Sequence, residues 1–141
     1  IFLLDSGKKG ILGEAQLDWL AQQLDKHTDR PALVFAHFNP LPNRGARPIR
    51  GMRDGEALLK VLARRKHANA YVHGHTHEWQ KSKHEHLHII GQPAVSYYFE
   101  KGHAHGWIDM KLTERSADLE LHCVDPKHRQ HGNQRQIPLT G

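Results

Sequence analysis

In the run Tyr71-Val72-His73-Gly74-His75-Thr76-His77, two imidazoles stand two residues apart directly after a glycine, a spacing suited to holding a metal ion. Neutral imidazole presents a lone pair to zinc, manganese, iron, cobalt or nickel at about 2.0–2.2 Å. In extended backbone, residues two apart share a face, so His75 and His77 are expected to reach one cavity, with His73 facing the other way. Gly74 is expected to let the chain turn tightly where a side chain would obstruct the metal. Upstream, the apolar run Ala32-Leu33-Val34-Phe35-Ala36 ends at His37. A histidine at the carboxyl end of a second strand sits where open α/β sheets bind ligands. Three candidate nitrogen ligands, His37, His75 and His77, thus come from two strand ends.

The elements that must position them follow from periodicity. Residues 1–5 and 32–37 read as buried strands, and Leu17, Leu20, Ala21 and Leu24 fall at helical spacing over about 14–26. Asp29-Arg30-Pro31 stops that helix. The stretch 38–52 carries Pro40, Pro42, Gly45, Pro48 and Gly51 and is expected to be a long irregular loop. A second helix is expected at about 54–66, with Leu58, Val61 and Leu62 buried, followed by a strand at 70–72. The rhythm of strand, helix and strand argues for an α/β sheet. Beyond Gly74 the pattern alternates, and strands are expected at 79–83, 86–91, 94–99, 106–112 and 117–124. From Pro126 the chain is polar and basic, so 1–125 is assigned to one domain and 126–141 to a frayed or partner-bound tail.

The strand-end His37 and the block Gly74-His75-Thr76-His77 resemble the last two signature blocks of the calcineurin-like metallophosphoesterase family. The resemblance extends to the strand Leu4-Asp5-Ser6 and the helix containing Gln16-Leu17-Asp18-Trp19-Leu20, and covers most of residues 1–99. The family's earlier blocks, Asp-x-His, Gly-Asp-x-x-Asp and Gly-Asn-His-Asp/Glu, are absent. The resemblance therefore implies an α/β fold, the C-terminal half of a metallophosphoesterase-type sheet sandwich flanked by helices. It also implies a metal-dependent phosphoric ester hydrolase whose two divalent cations, about 3.5–4 Å apart, clamp a phosphoryl oxygen and activate a water for in-line attack. His37 and His75 would then share one cation and His77 would hold the other. The cations are manganese, iron, zinc or nickel, with identity left open. The remaining ligands, and the residue assisting the leaving group, would lie in an N-terminal half that partners this chain, so the chain alone is expected to be inactive and no catalytic residue is assigned within it. The substrate is a phosphate mono- or diester.

Substitutes for the absent blocks are poor. Asp25-Lys26-His27 closes the first helix instead of following a first strand, and Gly132-Asn133-Gln134 lacks the histidine. Among other histidines, His84, His86 and His88 alternate and are expected to line one solvated strand face. Gly102-His103-Ala104-His105 repeats the letters of the signature without an apolar strand before it, and is expected in a loop.

With 20 Lys and Arg against 15 Asp and Glu, the net charge is +5, which favours phosphates or nucleic acid as partners. Arg44, Arg47, Arg50 and Arg53 recur every third residue in the loop after His37. Arg44 and Arg47, with Asn39, are candidate contacts for a substrate phosphate, although a solvated loop and a loop-capping amide are the alternatives. Arg64-Arg65-Lys66-His67 suits a helix C-terminus. A non-catalytic histidine-rich module binding metal or nucleic acid is the competing class, but few aromatics interleave with the basic residues, so single-strand nucleic acid is not favoured. No apolar run approaches the roughly 18 residues of a membrane span. The lone Cys123 excludes an intramolecular disulfide and fits a reducing, cytoplasmic compartment, though a leader before Ile1 stays open, as does oligomeric state. Ile1 opens inside a strand pattern, as expected of a fragment.

Overall fold

The computed structural model of the chain describes residues 1–41 and 49–140. In chain order these form β1 (Phe2–Leu3), α1 (Glu14–Lys26), β2 (Ala32–Ala36), α2 (Gly55–Ala63), β3 (Ala68–His73), β4 (Gln80–His84), β5 (Leu87–Gly91), β6 (Gly106–Leu112), β7 (Ser116–Cys123) and β8 (Gln134–Pro138). Two sheets result. The first has the order β1-β2-β3-β5-β4, parallel throughout except for β4, which pairs antiparallel with β5; the second is the antiparallel sheet β6-β7-β8.

Alternation along the central strands produces three layers. Val34, Tyr71 and Ile89 face the helices and pack with Leu17, Leu20, Leu24, Leu58 and Leu62. Their neighbours Leu33, Val72 and Ile90 face the second sheet and pack with Leu119, Leu121 and Ile137. The central strands are thus apolar on both faces, which is why residues 32–36 read as a continuous hydrophobic run. The α/β expectation and the sandwich with flanking helices are what the chain adopts.

Several boundaries differ from the sequence-based expectations. The segment 94–99 contains no strand; its β-pairing is an isolated bridge between Ala94 and His105. Residues beyond Pro126, expected as a frayed end, include β8, whose Ile137 is wholly buried on the inner face of the second sheet. Only that one side chain of β8 is fully buried, so its polar neighbours hid the alternation. His84, His86 and His88 do not line one strand, because Glu85 turns through φ 53° and places His86 in a hairpin between β4 and β5.

Side-chain locks fix the loops at the end of the first sheet from which the site projects. The Asp54 carboxylate, just before α2, accepts hydrogen bonds from the backbone N–H groups of Leu12 and Gly13 at 2.9 and 2.8 Å, closing the N-terminus of α1. At the opposite end of the sheet, Asp25 near the end of α1 is bound by the guanidinium of Arg65 at 2.6 and 2.8 Å, which also explains part of the cationic cluster after α2. The chain leaving His37 returns through the hydrogen bond from Met52 N–H to the Asn39 carbonyl, and at Gly55 it touches the Pro40 backbone. A Cβ on Gly55 would stand 1.7 Å from the Pro40 carbonyl oxygen, so any side chain there forces the two segments apart. Gly55→Ala is expected to lower unfolding free energy by about 1–3 kcal/mol, measured by urea titration. An unchanged midpoint would show that this closure carries no load.

Candidate metal site

Parallel pairing of β2 with β3 sets Ala36 opposite His73, so both strands run out at the same edge of the sheet. His37 is the next residue after β2, and Gly74 the next after β3. Their backbones stay joined past the strand ends, Gly74 N–H donating to the His37 carbonyl at 3.1 Å. Beneath them the wholly buried Tyr71 donates its hydroxyl proton to the Phe38 carbonyl at 2.6 Å. Burial holds this phenol well above its ordinary range, so it stays a donor.

The imidazoles of His37 and His75 converge. Nε2 of His37 lies 3.3 Å from Nδ1 of His75, with ring centroids 5.2 Å apart. That separation matches the edge of a tetrahedron whose corners stand about 2.0–2.1 Å from a central cation, so the pair fits a shared metal. Phe38 supports the His75 ring from beneath at 4.1 Å. His77 is turned away from this pair, stacking on Phe99 at 4.4 Å and meeting Tyr97 edge-on at 4.6 Å. Its Nδ1 is buried without a hydrogen-bond partner among the described residues. Burial lowers the pKa of both His75 and His77, with neighbouring histidines adding to it, while backbone groups of Arg50 and Tyr97 oppose the shift. Both therefore favour the neutral form that binds metal.

His73 does point elsewhere. It is buried, hydrogen-bonds through Nδ1 to the Gly74 carbonyl, and has its pKa pushed down to about 4 by desolvation. Among the described residues, no group of three or more His, Cys, Asp or Glu side chains is placed to hold one ion. His37 and His75 thus converge as a pair, while His77 packs against Phe99 and Tyr97.

How the turn delivers these rings differs from the sequence-based expectation. Residues 74–77 are not extended. His75 and His77 both adopt left-handed backbone, φ 57° and 53°, whereas Gly74 does not, and a Cβ on Gly74 would meet only ordinary van der Waals neighbours. The conformational burden expected of the glycine is carried by the two histidines. Such residues each cost roughly 1–2 kcal/mol and persist where surrounding structure over-determines them, commonly at functional sites.

A cavity of ≈ 490 Å³ opens beside His37 and His75, lined also by Asp5, Ser6, Lys8 and Phe38. Ser6 is buried and its Oγ has no hydrogen-bond partner among the described residues. Asn39 lies apart from this cavity. It is buried, its amide donates to the Leu41 carbonyl, and it lines a different cavity shared with His73 and His84. Arg44 and Arg47 fall outside the described residues. The loop histidines His103 and His105 belong to no metal-holding group among the described residues. Phe38, Tyr97, Phe99 and Ser6 escaped the sequence-based list. The three consecutive aromatics Tyr97-Tyr98-Phe99 were the available signal, because they break the alternation a strand requires.

No protein-family model matches the chain. It is 30% identical over 125 residues to 3',5'-cyclic adenosine monophosphate phosphodiesterase CpdA of Haemophilus influenzae, covering 85% of this chain and 45% of that protein. It is 32% identical over 80 residues to a probable cyclic nucleotide phosphodiesterase of Pseudoalteromonas sp., covering 57% of this chain and 30% of that one. In fold it is similar to a dimetal phosphatase from Danio rerio, with a TM-score of 0.71 at 22% identity over 92% of this chain and 39% of that chain. This chain spans a little under half the length of the first of these relatives. No helix among the described residues is long and apolar enough to cross a membrane.

If the left-handed turn is held by the fold, side chains at position 75 should sort by backbone tolerance. His75→Val is expected to be less stable than His75→Gly by about 1–2 kcal/mol in urea unfolding without metal. Equal stabilities would mean that the turn relaxes and stores no strain.

Proposed function

We propose that this chain, a relative of the calcineurin-like metallophosphoesterases, supplies one side of a two-cation centre that hydrolyses phosphate esters. The observation that carries this is the convergence of His37 Nε2 and His75 Nδ1 at 3.3 Å, at the carboxyl ends of adjacent parallel strands. His37 and His75 hold one divalent cation and His77 the second, the ion being manganese, iron, zinc or nickel. When bound, such a pair supplies charge to the phosphoryl oxygens and lowers the pKa of a water.

The chain's own residues do the positioning. Phe38 fixes the tilt of His75, and Phe99 that of His77. Lys8, which lines the cavity beside His37, is proposed to donate to a phosphate oxygen, with the buried Ser6 beneath it. Arg44 and Arg47, in the loop leaving His37, are proposed as further phosphate contacts, and Asn39 as the residue that shapes the start of that loop. Of the relatives named above, one is a cyclic adenosine monophosphate phosphodiesterase and one a probable cyclic nucleotide phosphodiesterase, which supports a phosphodiester as substrate.

The rest of the domain is proposed to join at one flank. β1 and β6 are edge strands of their sheets. An apolar groove opens where Ile1, Phe35 and Val72 meet Ile108, Met110 and Leu112, and Leu3 is 74% exposed. Edges and apolar surface of this kind suit a further segment of the same sandwich. On this proposal the segment 1–141 binds divalent metal but turns over little by itself.

The test is hydrolysis of bis(4-nitrophenyl) phosphate by the longer protein containing this chain, with and without added manganese. Metal-dependent turnover that falls at least about 100-fold in His75→Ala is expected. Turnover that survives both chelation and His75→Ala would contradict the proposal, as would robust metal-dependent hydrolysis by residues 1–141 alone.

A further inference from the structure

Tyr97 and Phe99 stand against His77 in a way that exceeds what holding one imidazole requires. Phe99 lies parallel to the His77 ring, 13° between planes at 4.4 Å, and so covers one of its faces. Tyr97 meets the imidazole at 71° and Phe99 at 84°, so the three rings form a corner. Phe99 lies along the imidazole, whereas the Tyr97 ring stands across it. Tyr97 is nevertheless 55% exposed, in a segment outside any helix or strand, with exposed Val95 and Tyr98 beside it. Scattered exposed apolar side chains mean little, but Tyr97 stands in ring contact with a candidate metal-binding imidazole while leaving half of its surface open.

An exposed phenol ring offers a flat π-face that suits another flat ring. Offset stacking on tyrosine or phenylalanine is favoured by the ring quadrupole, and it is tolerant of which base is presented. Sugars and short alkyl chains offer no such face. Because the platform adjoins His77, a ligand whose phosphate sits at the histidines would carry its attached group past Tyr97.

We propose that Tyr97, backed by Phe99, is a stacking platform for the nucleobase of a phosphate ester, making the chain selective for nucleotides over phosphate esters of simple sugars. This rests on the phosphate-ester function proposed above, and the probes separate the two. The zinc-loaded longer protein containing this chain is titrated with adenosine 5'-monophosphate and with ribose 5-phosphate, following amide and aromatic resonances by NMR. The nucleotide is expected to bind at least about tenfold more tightly than the sugar phosphate. Tyr97→Ala is expected to abolish that advantage without changing affinity for ribose 5-phosphate, and Tyr97→Phe to retain it. Equal affinity of the wild-type chain for both probes would overturn the platform and leave the phosphate-ester function standing. An equal loss for both probes in Tyr97→Ala would do the same, because it would assign Tyr97 to holding His77. Failure of both probes to bind would overturn the phosphate-ester function and the platform together.

Discussion

The parallel register of β2 against β3 is the constraint from which the site follows. Two strands that run in the same direction must end at the same edge, and with Ala36 opposite His73 the residues that follow them, His37 and the turn 74–77, are brought together without further instruction. The hydrogen bond from Gly74 N–H to the His37 carbonyl extends that pairing past the last strand residue. A one-residue slip would move Tyr71 and Val72 to opposite layers, taking Tyr71 from the helices and Val72 from the second sheet. The two cores therefore hold the register, and the register places the histidines.

Against that rigid base the turn 74–77 is a place where favourable local geometry is given up. His75 and His77 adopt a left-handed backbone that costs each of them roughly 1–2 kcal/mol, while the adjacent Gly74, the residue able to adopt it freely, does not. Rings on either side hold the arrangement: Phe38 against His75, and Phe99 stacked on His77. Cation binding at these nitrogens would offset the strain, because ligation of an already oriented imidazole needs little reorganisation. The depressed pKa values of both rings work in the same direction, since a neutral ring is the one that binds.

Much of this was legible in the sequence. Leu17, Leu20 and Leu24 marked α1 at its observed limits, and the apolar run before His37 marked β2, because burial against one or two layers writes a strong period. The strand-end histidines and their order were legible for the same reason. What was hidden depends on few residues or on tertiary partners. β8 buries only Ile137 fully and is otherwise polar, so nothing in its own composition distinguishes it from a tail. The segment 94–99 carries Val95, Tyr97 and Phe99 at strand spacing, yet those side chains face solvent and His77 instead of a core. Left-handed backbone at His75 is imposed from outside the turn and leaves no local signature. Side-chain direction is likewise set by tertiary partners, which turn the Asn39 amide toward Leu41 and leave Ser6 among the residues lining the cavity beside His37.

The most direct test of the arrangement is which imidazoles a cation perturbs. Zinc would be added to chain carrying ¹⁵N in its histidine rings, with ring-nitrogen resonances assigned and followed through the titration. Large shifts at His37 Nε2 and His75 Nδ1 at the first equivalent, with His77 following, are expected, and His84, His86, His88, His103 and His105 should stay unmoved. Shifts that begin at any of those five, with His37 and His75 unaffected, would show that the paired strand ends do not form the metal site.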